Sequence, residues 1–283
     1  MVRKYVCLLA VVGLAAVFSL AAPSAVLAQG YLGANLRPFA VIAGSTVTCT
    51  GASNITGDVG VSPGSAITGF GGAPCTDVGT LRFPPAADAA KIDLTAAYTT
   101  LAGLPCAATV GPDLTGLRLT QGVYCVGAAA SNLTGTLTLD AQANPNAVFV
   151  FQMSSTLITS TGSIVSVVNG GNACGVQWQV SSSATIAGGT FVGNILALTD
   201  ISMTSGANVT GRALARNGQV TLIGDNISFA ACGAGGGPGG TPPPFPPPGV
   251  PTLPQIAEWA LLAILLGSGA YLVSRRSRAT SGR

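Results

Sequence analysis

Residues 183–229 nearly repeat themselves, and that repetition limits the fold more than any other feature of the chain. Phe191-Val192-Gly193-Asn194-Ile195-Leu196-Ala197 aligns with Val209-Thr210-Gly211-Arg212-Ala213-Leu214-Ala215 at a shift of 18. Ala184-Thr185-Ile186, Ile201-Ser202-Met203 and Val220-Thr221-Leu222 recur at shifts of 17 and 19. Each period holds short runs that alternate apolar with small polar residues, broken by Gly, Asn or Asp, as strands that turn corners would be. Such a period fits one turn of a parallel β-solenoid, with two or three short strands stacked on the turn before.

The same phrase runs through the chain as an apolar residue, Thr or Val, Gly, any residue, then apolar, any, apolar. It stands at residues 55–61 (ITGDVGV), 133–139 (LTGTLTL), 191–197 and 209–215, with a looser copy at 114–120 (LTGLRLT). A β-sandwich of similar strands is the competing fold, but sandwiches seldom keep so constant a period. Strand alternation then divides the repeat. With Ala184, Ile186, Ile201, Met203, Val220 and Leu222 inward, Ser183, Thr185, Ser202, Thr204 and Thr221 share one solvent face. Thr48 and Thr138 are expected off that face.

The fold expected is all-β, a parallel β-solenoid with one long α-helix packed alongside. The helix is read at about residues 85–102, where an Ala-rich stretch follows Pro84-Pro85 and precedes Gly103. Ala87, Ala90, Leu94, Ala97, Tyr98 and Leu101 fall at spacings of three and four, so one stripe is apolar and can cover a flank of the solenoid. A linker between two domains is the weaker alternative. Residues 29–232 thus read as one domain, long enough for a sizeable core.

Residues 1–28 carry Arg3 and Lys4, an apolar run and the small-residue ending Val26-Leu27-Ala28, which reads as a secretory signal peptide cut after Ala28. Its removal leaves Cys49, Cys75, Cys106, Cys125, Cys174 and Cys232. An even set in an exported chain suggests three disulfides; the spacing does not choose among 15 pairings. Nearest-neighbour pairing is the expectation: Cys49 with Cys75, Cys106 with Cys125, Cys174 with Cys232. With no CxxC pair and no histidine, no metal site or cofactor is implied.

Between residues 29 and 249 there are six basic residues and eight aspartates, so a nucleic-acid partner is not supported. The aspartates sit in turn contexts such as Gly57-Asp58 and Gly224-Asp225, which argues against general acid–base chemistry and hence against an enzyme. Asn54-Ile55-Thr56, Asn132-Leu133-Thr134, Asn208-Val209-Thr210 and Asn226-Ile227-Ser228 match the glycosylation pattern; Asn at the corner of a coil is the reading preferred.

Residues 233–249 form a Gly-rich then polyproline linker. Beyond it residues 250–283 hold Val250-Pro251-Thr252-Leu253, Glu258-Trp259, an apolar stretch at about 257–273 barely long enough to span a bilayer, and an arginine cluster. This tail resembles the IPTL-type C-terminal sorting signal of Gram-negative bacteria. The resemblance implies a membrane contact through the tail, envelope sorting machinery as a partner, and display at the cell surface or release after cleavage.

The domain itself resembles the ice-binding protein family of bacteria, fungi and algae. The likeness rests on Phe39-Ala40-Val41-Ile42-Ala43-Gly44-Ser45-Thr46-Val47-Thr48, Ile55-Thr56-Gly57-Asp58-Val59-Gly60-Val61-Ser62-Pro63-Gly64, Trp178-Gln179-Val180 and Gly211-Arg212-Ala213-Leu214-Ala215-Arg216-Asn217-Gly218. It implies an irregular right-handed β-helix with a helix alongside and, as partner, an ice crystal surface. Physical reasoning agrees: stacked coils place equivalent residues ~4.8 Å apart, so a face of Ser, Thr and Ala offers methyls and hydroxyls in a rigid, nearly uncharged lattice able to order water. A non-enzymatic adhesin or matrix-binding solenoid is the alternative.

Overall fold

The computed structural model describes residues 30–127 and 130–229. The expected signal peptide, Cys232, the linker and the tail with its sorting motif lie outside the described residues. Within them, strand ladders are parallel throughout and wind into a three-faced solenoid. Two strands, Ala184–Ala197 and Ile201–Ala215, pass around two corners without a break, which is the near-repeat seen in the sequence.

The stacking order is not the sequence order. Phe39–Ala43 pairs with Ile201–Ala215, and Thr46–Cys49 pairs with Val220–Leu222, so the N-terminal coils sit on the C-terminal ones. The helix Asp88–Ala102 then carries the chain back along the outside, and Ala108–Val110 starts the coils that lead forward again. With a rise of 1.5 Å per residue, its 15 residues span ~22 Å, or four to five coils at ~4.8 Å each.

Inside the solenoid, period two gives the core. Ala184, Ile186, Ile201, Met203, Val220 and Leu222 are all buried, as the alternation requires. Aromatic rings stack from coil to coil: Tyr124 on Phe151 at 5.6 Å and Phe151 on Trp178 at 4.2 Å between centroids, with Phe191 at 5.0 Å from Trp178. The Trp178 indole donates to Val192 O at 2.9 Å, so its polar edge is satisfied inside an apolar stack.

The helix begins at Asp88, not at residue 85; Pro84-Pro85 instead form the turn before it, and Asp88 puts a carboxylate in the first turn, where the helix dipole favours it. Its buried stripe is the one expected, with Lys91 added. This stripe packs with Tyr31, Leu32 and Leu36 over Ile42, Val123, Val150, Leu196 and Leu214, the outward residues of the first of three faces. Polar tethers fix the dock: Tyr98 Oη donates to Val180 O at 3.3 Å, Lys91 Nζ to Ala215 O at 3.1 Å and to Arg216 O, and Gln152 Nε2 to Leu101 O and Leu104 O at the helix end, both at 2.7 Å.

Beside it lies a buried guanidinium. Arg212 donates to Phe39 O at 3.1 Å, Asn194 Oδ1 at 3.0 Å and Arg37 O at 3.0 Å, and lies 4.1 Å from the centroid of the Phe229 ring. It ties the N-terminal segment to the coil at which the two ends of the domain meet. Cys49–Cys75 and Cys106–Cys125 are bridged as expected. Cys174 is disulfide-bonded as well.

Candidate functional site

With one face covered by the helix, two faces remain open. The first open face carries the candidates read from the repeat. Thr185, Ser202 and Thr221 stand in one column, and it continues to Thr48 and Thr68 on one side and to Ile158 and Asn132 on the other. Thr204 pairs with Ala187 in the next column. Ser183 stands at the turn before the strand, where its hydroxyl meets that of Thr199 at 2.8 Å. The expectation that Thr48 lies off this face is corrected: Thr48 pairs with Thr221 because the first strands in sequence stack on the last coil. Thr138 does belong elsewhere, on the second open face.

That second face was not picked out by sequence reasoning. Its leading column runs Thr136, Ile164, Thr190, Asn208, Asn226, Asn54 and Thr76, one residue from each of seven stacked coils, and all seven are exposed. Beside part of it runs a second column, Val192, Thr210, Ser228 and Thr56. The amides link up: Asn226 Nδ2 donates to Asn208 Oδ1 at 2.8 Å, Asn54 Nδ2 to Asn226 Oδ1 at 3.0 Å, and Thr76 Oγ1 to Asn54 Oδ1 at 2.7 Å. Each bond holds a side chain in one rotamer, so the spacing of the column is set by the backbone ladder beneath it. The signal was present in the sequence as the recurrent Asn-x-Thr/Ser of residues 54, 208 and 226.

Charge is kept to the margins of both faces. Arg118 and Asp140 pair at 2.6 Å at one end of the second face. Hydrogen bonds from Asn169 and Gln142, then Arg118, hold the Asp140 carboxyl below the usual range, and bonds from Thr115 do the same for Asp113 at the end of the first face. Among the described residues no group of three or more Cys, Asp or Glu could hold a metal ion, and none of their helices is long and apolar enough to cross a membrane. Flat, registered columns of hydroxyl, methyl and amide groups can engage an extended lattice, and they hold no nucleophile paired with a base.

The sequence profile of the ice-binding-like family matches residues 41–228. The chain belongs to that family. Over 232 residues it is 46% identical to an ice-binding protein of Nostoc sp. (strain HG1), covering 81% of this chain and 83% of that one. An ice-binding protein of Flavobacterium frigoris (strain PS1) is 30% identical over 208 residues, with 65% and 71% covered. Among solved structures, an ice-binding protein from an Antarctic biological consortium superposes with a TM-score of 0.66 at 42% identity, covering 69% of this chain and 89% of that one. The family membership and the β-helix with an α-helix alongside agree with the resemblance drawn from the sequence.

Proposed function

We propose that the protein is exported and binds ice, docking through the second open face. The observation that carries this reading is the exposed column from Thr136 to Thr76, in which six of seven coils present a Thr or Asn, with Ile164 in the other, and three hydrogen bonds pin the run from Asn208 to Thr76. Side chains already held in place lose little entropy when water orders above them. With rungs ~4.8 Å apart and no charge at the column's centre, water over the face can adopt an ice-like layer that merges with a crystal plane. Affinity then comes from the area of match, and no single hydrogen bond dominates.

A second reading places docking on the first open face, through Ser183, Thr185, Ser202, Thr204 and Thr221. The register of Thr185, Ser202, Thr221, Thr48 and Thr68 across five coils favours it. Against it, Thr185, Ser202, Thr221 and Thr48 are half-buried, whereas the leading column of the second face is exposed throughout.

The N-terminal signal would export the chain, and the tail would hold it in the envelope until the sorting machinery releases it. Cys174 and Cys232 would close the last coils. Purified residues 29–232 should shape ice crystals and produce thermal hysteresis; unshaped crystals growing at the solution freezing point would return the protein to the adhesin class.

A further inference from the structure

We infer that Asp225 is a positioning residue for the Asn column: its carboxylate ties its own coil to that of Ala207, and its backbone N–H and carbonyl tie it to that of Ser53. Resting on the assignment of ice docking to the second open face, this names what holds that face in order. Asp225 is fully buried at the corner between the two open faces. Its Oδ1 accepts from Ala207 N at 2.9 Å and its Oδ2 from Ile223 N at 2.7 Å, with a further bond from Gly206 N. On the other side its own N–H donates to Ser53 Oγ at 2.9 Å, and its carbonyl accepts from Asn54 N at 2.8 Å. The next residue along the chain from Ala207, Asp225 and Ser53 is, in each coil, an Asn of the column: Asn208, Asn226 and Asn54.

The corner needs such a device because its backbone is irregular. Gly51, Gly206 and Gly224 adopt φ of +106°, +78° and +72°, so amides of the turn point inward where no ladder bond reaches them. A carboxylate with two acceptor oxygens can gather several of them at once. An amide in its place offers one acceptor and turns a donor toward a backbone N–H. Burial raises the carboxyl pKa of Asp225, and the N–H bonds it accepts pull the other way.

The test compares Asp225→Ala and Asp225→Asn with a core variant remote from the corner, Val180→Ala, and with Asn208→Tyr. Far-UV circular dichroism and melting establish folding at the assay temperature; side-chain amide signals of Asn54, Asn208 and Asn226 report the column, and thermal hysteresis reports ice docking. Folded Asp225→Ala should lose most of its hysteresis together with the dispersed amide signals, Asp225→Asn should lose part of both, and Val180→Ala should keep both at a comparable loss of melting temperature. Parental amide signals and hysteresis in folded Asp225→Ala would overturn the inference, as would equal losses in Val180→Ala. Should Asp225→Ala not fold, parental values in Asp225→Asn would overturn it. If Asn208→Tyr keeps full hysteresis while the amide signals still depend on Asp225, the positioning role stands and the ice-face assignment fails.

Discussion

Lys91 docks the helix with a charge that the site makes costly, and its titration should appear as a rise in stability with pH. Its Nζ is buried against Ala215 O and Arg216 O. Burial first, and the charge of Arg216 second, push its pKa from the ordinary 10.5 down to about 8. Below pH 8 folded and unfolded chains both hold the proton, so stability is flat in this group. Between about 8 and 10.5 the unfolded chain holds it and the folded chain has released it, so stability climbs with pH. That interval, at 1.36 kcal/mol per pH unit, amounts to ~3 kcal/mol. The perturbation is Lys91→Met, which keeps most of the aliphatic stem. Burial also pushes Tyr31 up to about 12, which lowers stability between pH 10 and 12; that contribution is common to both proteins and cancels in their difference. Urea unfolding at pH 7 and pH 10.5 should show the parent gaining ~3 kcal/mol relative to Lys91→Met. A difference that is constant across this range, or that falls, would refute the placement of Lys91 in a desolvating contact.

Three further outcomes follow from the packing. Trp178→Ala removes the middle of the aromatic stack and should cost ~3–5 kcal/mol in chemical unfolding, with the solenoid's β signature retained. Arg212→Met should cost ~3 kcal/mol or more, because Phe39 O, Arg37 O and Asn194 Oδ1 lose a buried charged donor at once; a loss below 1 kcal/mol would show that the guanidinium is not the clasp described. Mild reduction followed by alkylation and peptide mapping should label Cys106, which is exposed, before Cys49 and Cys75, which are buried.

The coil period made most of the architecture legible, since every coil must repeat the alternation that feeds one shared core. Spacing alone puts Ala184, Ile186 and Met203 inward and Leu94, Tyr98 and Leu101 on the buried stripe of the helix. What spacing could not convey was which coil lies on which. Pairing of Thr48 with Thr221 is set by the helix returning the chain to the far end of the stack, a long-range event with no local signature. For the same reason Asn54 could not be seen next to Asn226, 172 residues away. The Asn-x-Thr/Ser phrases at 54, 208 and 226 are visible in the sequence, where a corner role accounts for each; only the stacking order turns them into a column. Arg212 likewise looked like part of a repeat phrase, and its role depends on Phe39 and Arg37 arriving from the other end of the chain.

Adsorption of fluorescently labelled protein to a single-crystal ice hemisphere, compared for the parent, Asn226→Tyr and Thr221→Tyr, tests the central claim most directly. Asn226 and Thr221 lie on different open faces, and both side chains point outward, so neither change should disturb folding by much. The account predicts labelled planes for the parent and for Thr221→Tyr, and a bare hemisphere for Asn226→Tyr. Adsorption by Asn226→Tyr equal to the parent, with loss in Thr221→Tyr, would move the site to the first open face; a hemisphere left bare by the parent would contradict ice binding itself.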